Sequence, residues 1–499
     1  MLTFEEFERL AKSHSIVPIT RIMLADMHTP VSTYLALREP GVPAFLFESG
    51  VPDEKIGRYS FIGVRPTVVV KAKGNIITVT RRDSTETRTG DIFTVLRDLS
   101  SECRQAEMSD EDGFSGGFVG YIGYDCVRHL ERVPLSEPAE MDPYDAIVGL
   151  FPTVVRFDHR RNLVTMIVNV FVDDRKPLRH QFDEAKQKLA ALELRLRNAT
   201  LGSSTFVCDM SRAVANVDQK SFHEMVLRAK SYIFEGDIFQ TVLSRRLQVP
   251  FSGDPFPVYR ALRLINPSPY LFYVDFGDTK LIGSSPEVLV RVHSRQIELL
   301  PIAGTRKRGK TIEEDNALEA ELLKDEKELA EHVMLVDLGR NDVGRVSKIG
   351  AVHVPVFKKI ERYSHVMHIV STVHGTLRPE ATSIDALKAC FPAGTVSGAP
   401  KVRAMEIINE LEPNRRGIYA GAVGYLGFNG TLDTCIAIRT IIAHRQVLHL
   451  QTGAGVVADS VPENEYQETV HKAQALMDAV ALAANGLQDV DHLSNRITG

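Results

Sequence analysis

The sequence predicts an α+β fold in which antiparallel β-sheets form a layered sandwich and helices pack on the outside. Three observations support this prediction. The first half of the chain holds short runs of β-branched residues separated by turn residues, and segments of clear helical periodicity begin after Gln219. The strands expected between residues 417 and 457 follow one another too closely for parallel crossover connections. No repeat of fixed period is visible, so a solenoid is not expected.

The N-terminal half contains the first strand signals. Gly74 and Asn75 separate two alternating segments in PTVVVKAKGNIITVTRR, which is typical of a two-residue hairpin turn. The stretch GGFVGYIGYD, which begins at Gly116, predicts a strand whose glycines allow another backbone to approach closely.

The polar stretch RNATLGSSTFVCDMSRAVANVD, residues 197–218, is the best linker candidate. At 499 residues the chain exceeds the size at which one hydrophobic core keeps growing. We therefore expect an N-terminal domain at residues 1–200 and a second domain at 215–490.

Two further elements are predicted near the C-terminus. The stretch GIYAGAVGYLGFNGTLDTCIAIRTIIAHRQVLHLQTGAGVV reads as an antiparallel meander with a turn at Asn429 and Gly430. A helix follows, with Ser460 as its cap and Pro462 in its first turn.

Composition excludes several classes of function. Lys plus Arg total 59 and Asp plus Glu 64, and the resulting net charge of -5 gives no general attraction to nucleic acid or anionic lipid. The five cysteines lack metal-type spacing and indicate a reducing compartment. No apolar run approaches the length of a membrane span. We expect a cytoplasmic protein without nucleic-acid or membrane partners.

The stretch GTRKRGKT, which begins at Gly304, matches the phosphate-binding pattern G-x-x-x-x-G-K-[ST]. In such loops bare N–H groups and a helix N-terminus face the anion. Here Glu313, Glu314 and Asp315 fill the first turn of the next helix, where they would repel a triphosphate. Asp337 mimics the aspartate that nucleoside triphosphatases carry on a strand, but here it lies in a helical pattern. We do not expect a nucleoside triphosphate site.

Two pairs of glutamates have the spacing of metal ligands. Glu328 and Glu331 share one helix face, and so do Glu465 and Glu468. Ligation by oxygen atoms favours Mg²⁺. The spacing alone fits solvated helix faces joined by salt bridges better than a metal site.

A di-iron site is a third interpretation of the same helices. Glu468 and His471 have its Glu-x-x-His spacing. Glu331 and His332 are adjacent instead, so they project about 100° apart, which spoils the match.

Seven long stretches occur in the order seen in chorismate-utilising enzymes: LLPIAGTRKRG, DEKELAEHVMLVDLGRNDVGRV, ERYSHVMHIVSTVHG, FPAGTVSGAPKVRAMEIINELEP, RRGIYAGAVGYLGF, DTCIAIRT and TGAGVVADSVPENEYQET. The chain resembles this family, and the large subunits of anthranilate synthase within it, densely over residues 219–482 and more thinly before. The resemblance implies a lyase that converts chorismate and ammonia into anthranilate and pyruvate, at the first step of tryptophan biosynthesis.

The resemblance also implies roles for individual residues. Glu331 and Glu468 would bind Mg²⁺ directly, with Glu328 and Glu465 reaching it through water. The substrate contacts would be Gly304, Thr305, Tyr419, Arg439, Gly453, Ala454, Gly455 and Lys472.

Three catalytic residues are implied as well. Glu287 would be the general acid for the departing hydroxyl and would need a raised pKa. His368 would act in the elimination of pyruvate, and Thr395 would line the ring site. From its place on a strand alone, His368 fits a core histidine better.

Two positions favour anthranilate formation within the family. Enzymes that add water to chorismate have a lysine base where this chain has Gln240, and a neutral amide cannot deprotonate water. Aminodeoxychorismate synthases commonly have a lysine where this chain has Ala303. An aminodeoxychorismate synthase and a non-catalytic regulatory homologue are the alternatives.

The resemblance finally implies two further ligands. Tryptophan would inhibit by binding at Glu48 and Ser49 on one side and Pro269, Tyr270 and Leu271 on the other, although Glu48 and Ser49 also fit an ordinary turn. No glutaminase segment is recognisable, so a separate glutamine amidotransferase subunit is expected to deliver ammonia in a hetero-oligomer, a heterotetramer.

Overall fold

A computed structural model describes residues 2–50, 57–107, 113–135, 141–198, 202, 204–362 and 366–488. Its helices are α1 (Phe4–Ala11), α2 (Pro30–Leu37), α3 (Ile92–Ser101), α4 (Leu178–Arg197), α5 (Gln219–Phe234), α6 (Phe256–Ile265), α7 (Ile312–Leu322), α8 (Glu326–Gly344), α9 (Ser383–Cys390), α10 (Lys401–Leu411) and α11 (Pro462–Ala484).

The strands of the same residues are β1 (Ile16–Leu24), β2 (Ala44–Glu48), β3 (Tyr59–Val64), β4 (Val68–Lys73), β5 (Ile76–Arg81), β6 (Ser84–Thr89), β7 (Gly117–Ile122), β8 (Ala146–Phe151), β9 (Thr153–Asp158), β10 (Leu163–Phe171), β11 (Phe206–Cys208), β12 (Val214–Ala215), β13 (Gln240–Gly253), β14 (Tyr270–Asp275), β15 (Thr279–Ser285), β16 (Val288–His293), β17 (Gln296–Leu299), β18 (Ile302–Lys307), β19 (His353–Arg362), β20 (Val366–Thr376), β21 (Gly398–Ala399), β22 (Ala422–Gly427), β23 (Leu432–Ile436), β24 (Thr440–His444) and β25 (Val447–Val456).

The strands form two large antiparallel sheets. The first sheet has the order β1-β10-β9-β3-β2-β14-β15-β24-β25-β13-β11, and β12 and β21 also pair with β13. The second sheet has the order β18-β20-β17-β16-β23-β22-β7-β8-β4-β5-β6, and β19 also pairs with β20.

The two sheets pack face to face through an aromatic core. Phe45 and Phe272 of the first sheet meet Tyr121 and Ile147 of the second, all almost fully buried. Helices α1, α2, α4, α6 and α11 cover the outer face of the first sheet, and α3, α8, α9 and α10 contribute to the core on the outer face of the second. Because each sheet has one face on the other sheet and one under helices, the predicted fold class is confirmed.

Both sheets contain strands from both halves of the chain. Strand β2 pairs with β14, which places Glu48 opposite Leu271, and β7 pairs with β22, which places Gly120 opposite Gly424. The division into residues 1–200 and 215–490 stays a prediction. Part of the expected linker, 199–201 and 203, lies outside the described residues, and its later part forms β11 and β12 on the edge of β13.

The local turn predictions in the N-terminal half are confirmed. Gly74 and Asn75 connect the antiparallel strands β4 and β5, and Gly74 has a φ of 55°. A Cβ atom added to Gly120 would lie 2.1 Å from the carbonyl oxygen of Ile147, so the backbones of β7 and β8 do approach closely.

The prediction of one continuous meander after Gly417 is wrong. β22 and β23 form a hairpin in the second sheet, whereas β24 and β25 form a hairpin in the first. The chain crosses between the sheets just before β24, where Arg439 has a left-handed φ of 49°. Hairpin spacing is a local property and does not report which sheet a hairpin joins.

The predicted cap of α11 is also wrong. Val461 occupies the N-cap position, and the hydroxyl of Ser460 instead accepts a hydrogen bond from Val457 N at 3.0 Å. Among the described helices, none has both the length and the apolar character that a membrane crossing requires.

Candidate active site

The four predicted metal-binding glutamates lie near the N-terminal ends of α8 and α11. Asp325 caps α8 by accepting hydrogen bonds from Lys327 N at 3.1 Å and Glu328 N at 3.2 Å. This cap sets the start of the helix and places Glu328 and Glu331 within its first two turns. Glu465 and Glu468 have the corresponding place in α11.

The pKa shifts of these carboxyl groups show that their charges act on one another. Burial raises the pKa of Glu331, and the negative charges of Glu328 and Glu468 raise it further. Burial likewise raises the pKa of Glu465, and the charge of Glu468 again adds to the rise. Carboxylates from two distant helices therefore repel one another across a shared space, which a divalent cation would relieve.

Mg²⁺ fits this donor set. The described residues contain no group of three or more His, Cys, Asp or Glu side chains already arranged around a metal position. Mg²⁺ is commonly held by one or two carboxylates and keeps several waters, with substrate oxygens as further ligands, so a closed cage is not required. The di-iron interpretation is not supported, because His332 is fully buried and its Nε2 lies 2.6 Å from Ser371 Oγ.

Neighbouring side chains hold Glu331 and Glu468, the two candidates for direct metal ligands. Gln240 Nε2 donates a hydrogen bond to Glu331 Oε1 at 3.3 Å. A Cβ atom added to Gly455 would lie 3.0 Å from the same Gln240 nitrogen, so the absence of a side chain at Gly455 leaves room for this contact. Lys472 Nζ lies 2.6 Å from Glu468 Oε1.

Arg439 is the best candidate to bind an anion. In the described part of the chain its guanidinium makes no hydrogen bond and no ion pair, although burial lowers its pKa. A desolvated guanidinium without an acceptor is suited to a carboxylate, which it can bind with two parallel hydrogen bonds. Arg439, Glu468 and Lys472 line one cleft of about 410 Å³, together with Asn464, Gln467 and His471.

Tyr419 and Gly453 lie against each other beside this cleft. A Cβ atom on Gly453 would come within 2.8 Å of the Tyr419 hydroxyl, which only a glycine permits. Burial raises the pKa of Tyr419 to about 12, so the hydroxyl keeps its proton near neutral pH. Lys472 Nζ donates to the carbonyl oxygen of Gly453 at 3.0 Å, and Ala454 is fully buried in β25 opposite Leu243.

Glu287 has the raised pKa that a general acid needs. Burial raises its pKa from 4.5 to about 7, while the nearby Thr395 hydroxyl and the charge of Lys472 oppose the rise. Glu287 and Thr395 also line the same small cavity of about 50 Å³. Glu287 is thus a carboxyl group that holds a proton near pH 7 and lies within the electrostatic range of Lys472.

His368 lies on β20 opposite Thr305 of β18. Its Nδ1 lies 3.0 Å from the carbonyl oxygen of Gly304 and 3.1 Å from Thr305 Oγ1, so Nδ1 carries the proton that is donated to the carbonyl. Burial lowers the pKa of His368, and the charge of Arg439 lowers it further, which keeps the imidazole neutral near pH 7. His368 is half-buried beside the site and is not a core histidine.

In the loop that resembles a phosphate-binding loop, backbone N–H groups are bound by carboxylates from the start of α7. Gly309 N donates to Asp315 Oδ1 at 2.6 Å, and Lys310 N donates to Glu314 Oε2 at 2.7 Å. These N–H groups are therefore occupied, as the acidic helix start predicts. At the other end of the loop, Gly304 has a φ of 67°, and a Cβ atom there would lie 3.3 Å from Glu328 Oε2.

A third cavity, of about 530 Å³, lies where β2 and β14 pair. Its lining includes all five residues predicted to bind an inhibitor: Glu48, Ser49, Pro269, Tyr270 and Leu271. The Tyr270 hydroxyl donates to Asp433 Oδ1 at 2.6 Å and accepts from Arg291 Nε at 2.9 Å. Glu48 accepts a hydrogen bond from Tyr259 at 2.6 Å and lies 3.2 Å from Arg263.

Two residues near the catalytic site were missed as contacts. Arg306 donates to Glu328 Oε1 at 3.3 Å and also binds Asp325 at 2.8 Å, so it joins β18 to the start of α8. The basic character of its loop is the one signal that could have indicated this. The role of Gln240 as a donor to Glu331 has no sequence signal, because the two residues meet only through the tertiary fold.

A family model described as chorismate binding enzyme matches residues 43–478. That match covers most of the chain. The chain therefore belongs to the chorismate binding enzyme family.

Relatives over nearly the whole length place the chain more narrowly. Anthranilate synthase component 1 of Acetivibrio thermocellus is 46% identical over 486 residues, which cover 96% of this chain and 98% of the relative. The protein of the same name from Aquifex aeolicus (strain VF5) is 44% identical over 495 residues, 98% of this chain and 99% of the relative. Within its family, the chain groups with the proteins named anthranilate synthase component 1, as its motifs predict.

One solved structure agrees with this grouping, and a more distant one shares only the fold. Anthranilate synthase component I from Streptococcus pneumoniae TIGR4 superposes with a TM-score of 0.73 at 36% identity, over 91% of this chain and 99% of that one. The menaquinone-specific isochorismate synthase from Escherichia coli has a TM-score of 0.68 at 21% identity, over 96% of this chain and 98% of that one, and shares the fold.

Proposed function

We propose that this enzyme converts chorismate and ammonia into anthranilate and pyruvate with the help of Mg²⁺, and that the reaction is the first step of tryptophan biosynthesis. The observation that carries the proposal is the half-buried guanidinium of Arg439, which has no hydrogen bond or ion pair within the described residues and shares a cleft with Glu468 of α11. The charge of Glu468 in turn acts on Glu331 of α8. A cyclic diacid such as chorismate suits this pair of features: one carboxylate for the cation and one for the guanidinium.

Substrate binding follows from the positions of these groups. Arg439 binds the enolpyruvyl carboxylate through its guanidinium, and the Tyr419 hydroxyl donates a hydrogen bond to the same group. The backbone at Gly453 and Gly455 approaches this carboxylate, since neither residue has a side chain. Lys472 adds a positive charge while it holds the carbonyl oxygen of Gly453.

Glu331 and Glu468 would hold Mg²⁺ directly, and Glu328 and Glu465 would hold its waters. When bound, the cation neutralises the ring carboxylate and makes the ring a better acceptor of electrons. Gln240 steadies Glu331 for this role.

In the first stage ammonia forms a bond to C2 of the ring and the C4 hydroxyl departs as water. Glu287 gives its proton to that hydroxyl, which a carboxyl group with a pKa of about 7 can do near neutral pH. Thr395 lies beside Glu287 at the ring.

In the second stage the C2 proton is removed and the enolpyruvyl group leaves as pyruvate, which makes the ring aromatic. His368 is the group placed to take part, because its imidazole is neutral near pH 7 and is oriented by the carbonyl oxygen of Gly304. One chorismate and one ammonia are thus converted into one anthranilate, one pyruvate and one water.

Two partners complete the proposal. A glutamine amidotransferase subunit supplies ammonia in a heterotetramer, which fits relatives that are named as component 1. Tryptophan inhibits from the cavity at β2 and β14, where Glu48 and Asp433 supply negative charge and Arg58 and Arg291 positive charge for an amino acid.

The decisive experiment is to incubate the purified protein with chorismate, Mg²⁺ and an ammonium salt and to identify the product. The proposal predicts fluorescent anthranilate and one equivalent of pyruvate. Accumulation of 4-amino-4-deoxychorismate would identify an aminodeoxychorismate synthase instead. Binding of Mg²⁺ without turnover would indicate a regulatory homologue.

The inhibitor site is tested with a tryptophan titration at fixed chorismate. Ser49→Phe fills part of the cavity and should weaken inhibition about tenfold while leaving uninhibited turnover unchanged. Val207→Phe, at an exposed position outside this cavity, is the matched control. Unchanged inhibition in the Ser49 variant would place the inhibitor elsewhere.

A further inference from the structure

A buried ion pair lies at the end of α10. The side chains of Arg416 and Glu412 are 1% and 4% exposed, and Arg416 binds both carboxylate oxygens, with Nε to Oε2 at 3.0 Å and Nη2 to Oε1 at 2.7 Å. Burying two charges is costly, and an apolar pair of similar size often stabilises a fold as well. The geometry of the contacts around the pair therefore indicates what else it does.

Arg416 uses its remaining donors on two backbone segments. Nη1 donates to the carbonyl oxygen of Val396 at 2.6 Å, and Nη2 donates to that of Val242 at 2.6 Å. Val396 follows Thr395 directly, and Val242 pairs with Gly455 across β13 and β25. One guanidinium thus joins the Thr395 turn to the strand beside the glycines of the site.

Glu412 connects the pair to a third part of the site. Its Oε1 accepts hydrogen bonds from Ser244 N at 2.7 Å and Ser244 Oγ at 2.8 Å. Ser244 lies opposite Gly453, and its hydroxyl also accepts from Gln451 Nε2 at 2.8 Å. The carboxylate therefore fixes the position of β13 relative to Gly453.

Aromatic rings enclose the guanidinium. Its carbon lies 4.8 Å from the ring centroid of Tyr124 and 5.6 Å from that of Tyr419. A cation over an aromatic face is attracted to it, and the attraction is stronger without water. The Arg416 guanidinium thus holds one face of the Tyr419 ring, and the hydroxyl of that ring lies next to Gly453.

We propose that Arg416 and Glu412 are positioning residues that hold Thr395, Tyr419 and Gly453 in the mutual arrangement that chorismate requires. The inference rests on the proposed function, because it assigns the pair to the substrate of that reaction. The planar guanidinium is essential, since it reaches two carbonyl oxygens, one carboxylate and two rings at once, which an ammonium group cannot do.

The neighbouring residue provides a matched control. Arg415 is also largely buried and also pairs with carboxylates, with Nη2 lying 3.0 Å from Asp125 Oδ2 and 2.9 Å from Asp145 Oδ1. These partners lie outside the three segments that Arg416 joins. Arg415→Lys therefore reports the general cost of weakening a buried arginine at this place in the fold.

The experiment compares steady-state kinetics of Arg416→Lys, Arg415→Lys and the unchanged protein, with chorismate and ammonium varied separately. Arg416→Lys should raise the KM for chorismate about tenfold and leave the KM for ammonium within about twofold. Arg415→Lys should leave both KM values within about twofold. A purely structural role would lower the folded fraction, and so kcat, without changing either KM.

Circular dichroism and thermal unfolding verify that each variant is folded. If Arg416→Lys does not fold, Ser244→Ala takes its place, because it removes one hydroxyl of the same network and should raise the KM for chorismate about threefold. An unchanged KM for chorismate in the folded variant, or an equal rise in Arg415→Lys, would overturn the proposal.

A failure of the proposed function is separable from this result. The unchanged protein is assayed first, and absence of anthranilate removes the proposed reaction. Calorimetric titration of chorismate in the presence of Mg²⁺ then tests the positioning role of Arg416 independently of turnover. The expected outcome is weaker chorismate binding in Arg416→Lys than in Arg415→Lys.

Discussion

Replacing Glu287 with glutamine should lower turnover by more than about 100-fold and stabilise the fold at alkaline pH relative to the wild type. Burial raises the pKa of this carboxyl group from 4.5 to about 7. The native state therefore holds the proton more tightly than the unfolded state does, so the stability that the protonated form contributes is present below pH 4.5 and is lost as the pH rises to 7.

The size of the effect follows from that pKa change. One pKa unit corresponds to about 1.4 kcal/mol, so ionisation of Glu287 costs about 3 kcal/mol of stability above pH 7. Between pH 5 and pH 8 the wild type should lose about 2.5 kcal/mol relative to Glu287→Gln, whose amide has no proton to release.

Urea unfolding of both proteins at pH 5 and pH 8 measures this difference, and anthranilate formation measures the loss of the general acid, which should exceed about 100-fold. Glu8→Gln, on the exposed surface of α1, controls for the loss of one carboxylate. A stability difference that does not change with pH would show that Glu287 is not held neutral, and retained turnover would remove it as the acid.

Two further changes address the substrate side of the site. Gly453→Ala places a methyl group 2.8 Å from the Tyr419 hydroxyl, so the KM for chorismate should rise about tenfold and the melting temperature should fall. Steady-state kinetics and calorimetry measure the two effects. Unchanged values would mean that the backbone moves aside without cost. Lys472→Met removes a positive charge that lowers the pKa of Glu287. The alkaline limb of the pH profile of kcat/KM should therefore move to higher pH. A shift to lower pH would contradict the interaction between Lys472 and Glu287.

Local chemistry accounts for what the sequence predicts well. The hairpin at Gly74 and Asn75 and the shared face of Glu328 and Glu331 follow from turn preference and helical spacing, which need no knowledge of the rest of the chain. The acidic start of α7 likewise indicates that the GTRKRGKT loop binds its own carboxylates.

The features that the sequence does not predict depend on tertiary contacts. The approach of Glu331 to Glu468 depends on how α8 and α11 dock, and only the family resemblance indicates it before the structure is known. The crossing between sheets at Arg439 depends on which sheet each hairpin joins.

The buried network at the end of α10 is hidden for a similar reason. Glu412 and Arg416 have the spacing of a helical salt bridge, but the helix ends at Leu411, so the pair is formed by a loop. A polar Glu-Pro-Asn-Arg-Arg stretch is typical of an exposed turn, and Pro413 and Asn414 are exposed, so only the packing of Arg416 against Tyr419 reveals that Glu412 and Arg416 are buried.

The most direct test of the account is a calorimetric titration of Mg²⁺ in the presence of chorismate, applied to the wild type, Glu331→Gln, Glu468→Gln and the double variant. If one ion is held between α8 and α11, the wild type binds one Mg²⁺ per chain. Each single change should then weaken binding by at least about tenfold, and the losses should not add in the double variant. Full Mg²⁺ affinity in either single variant would contradict the shared site.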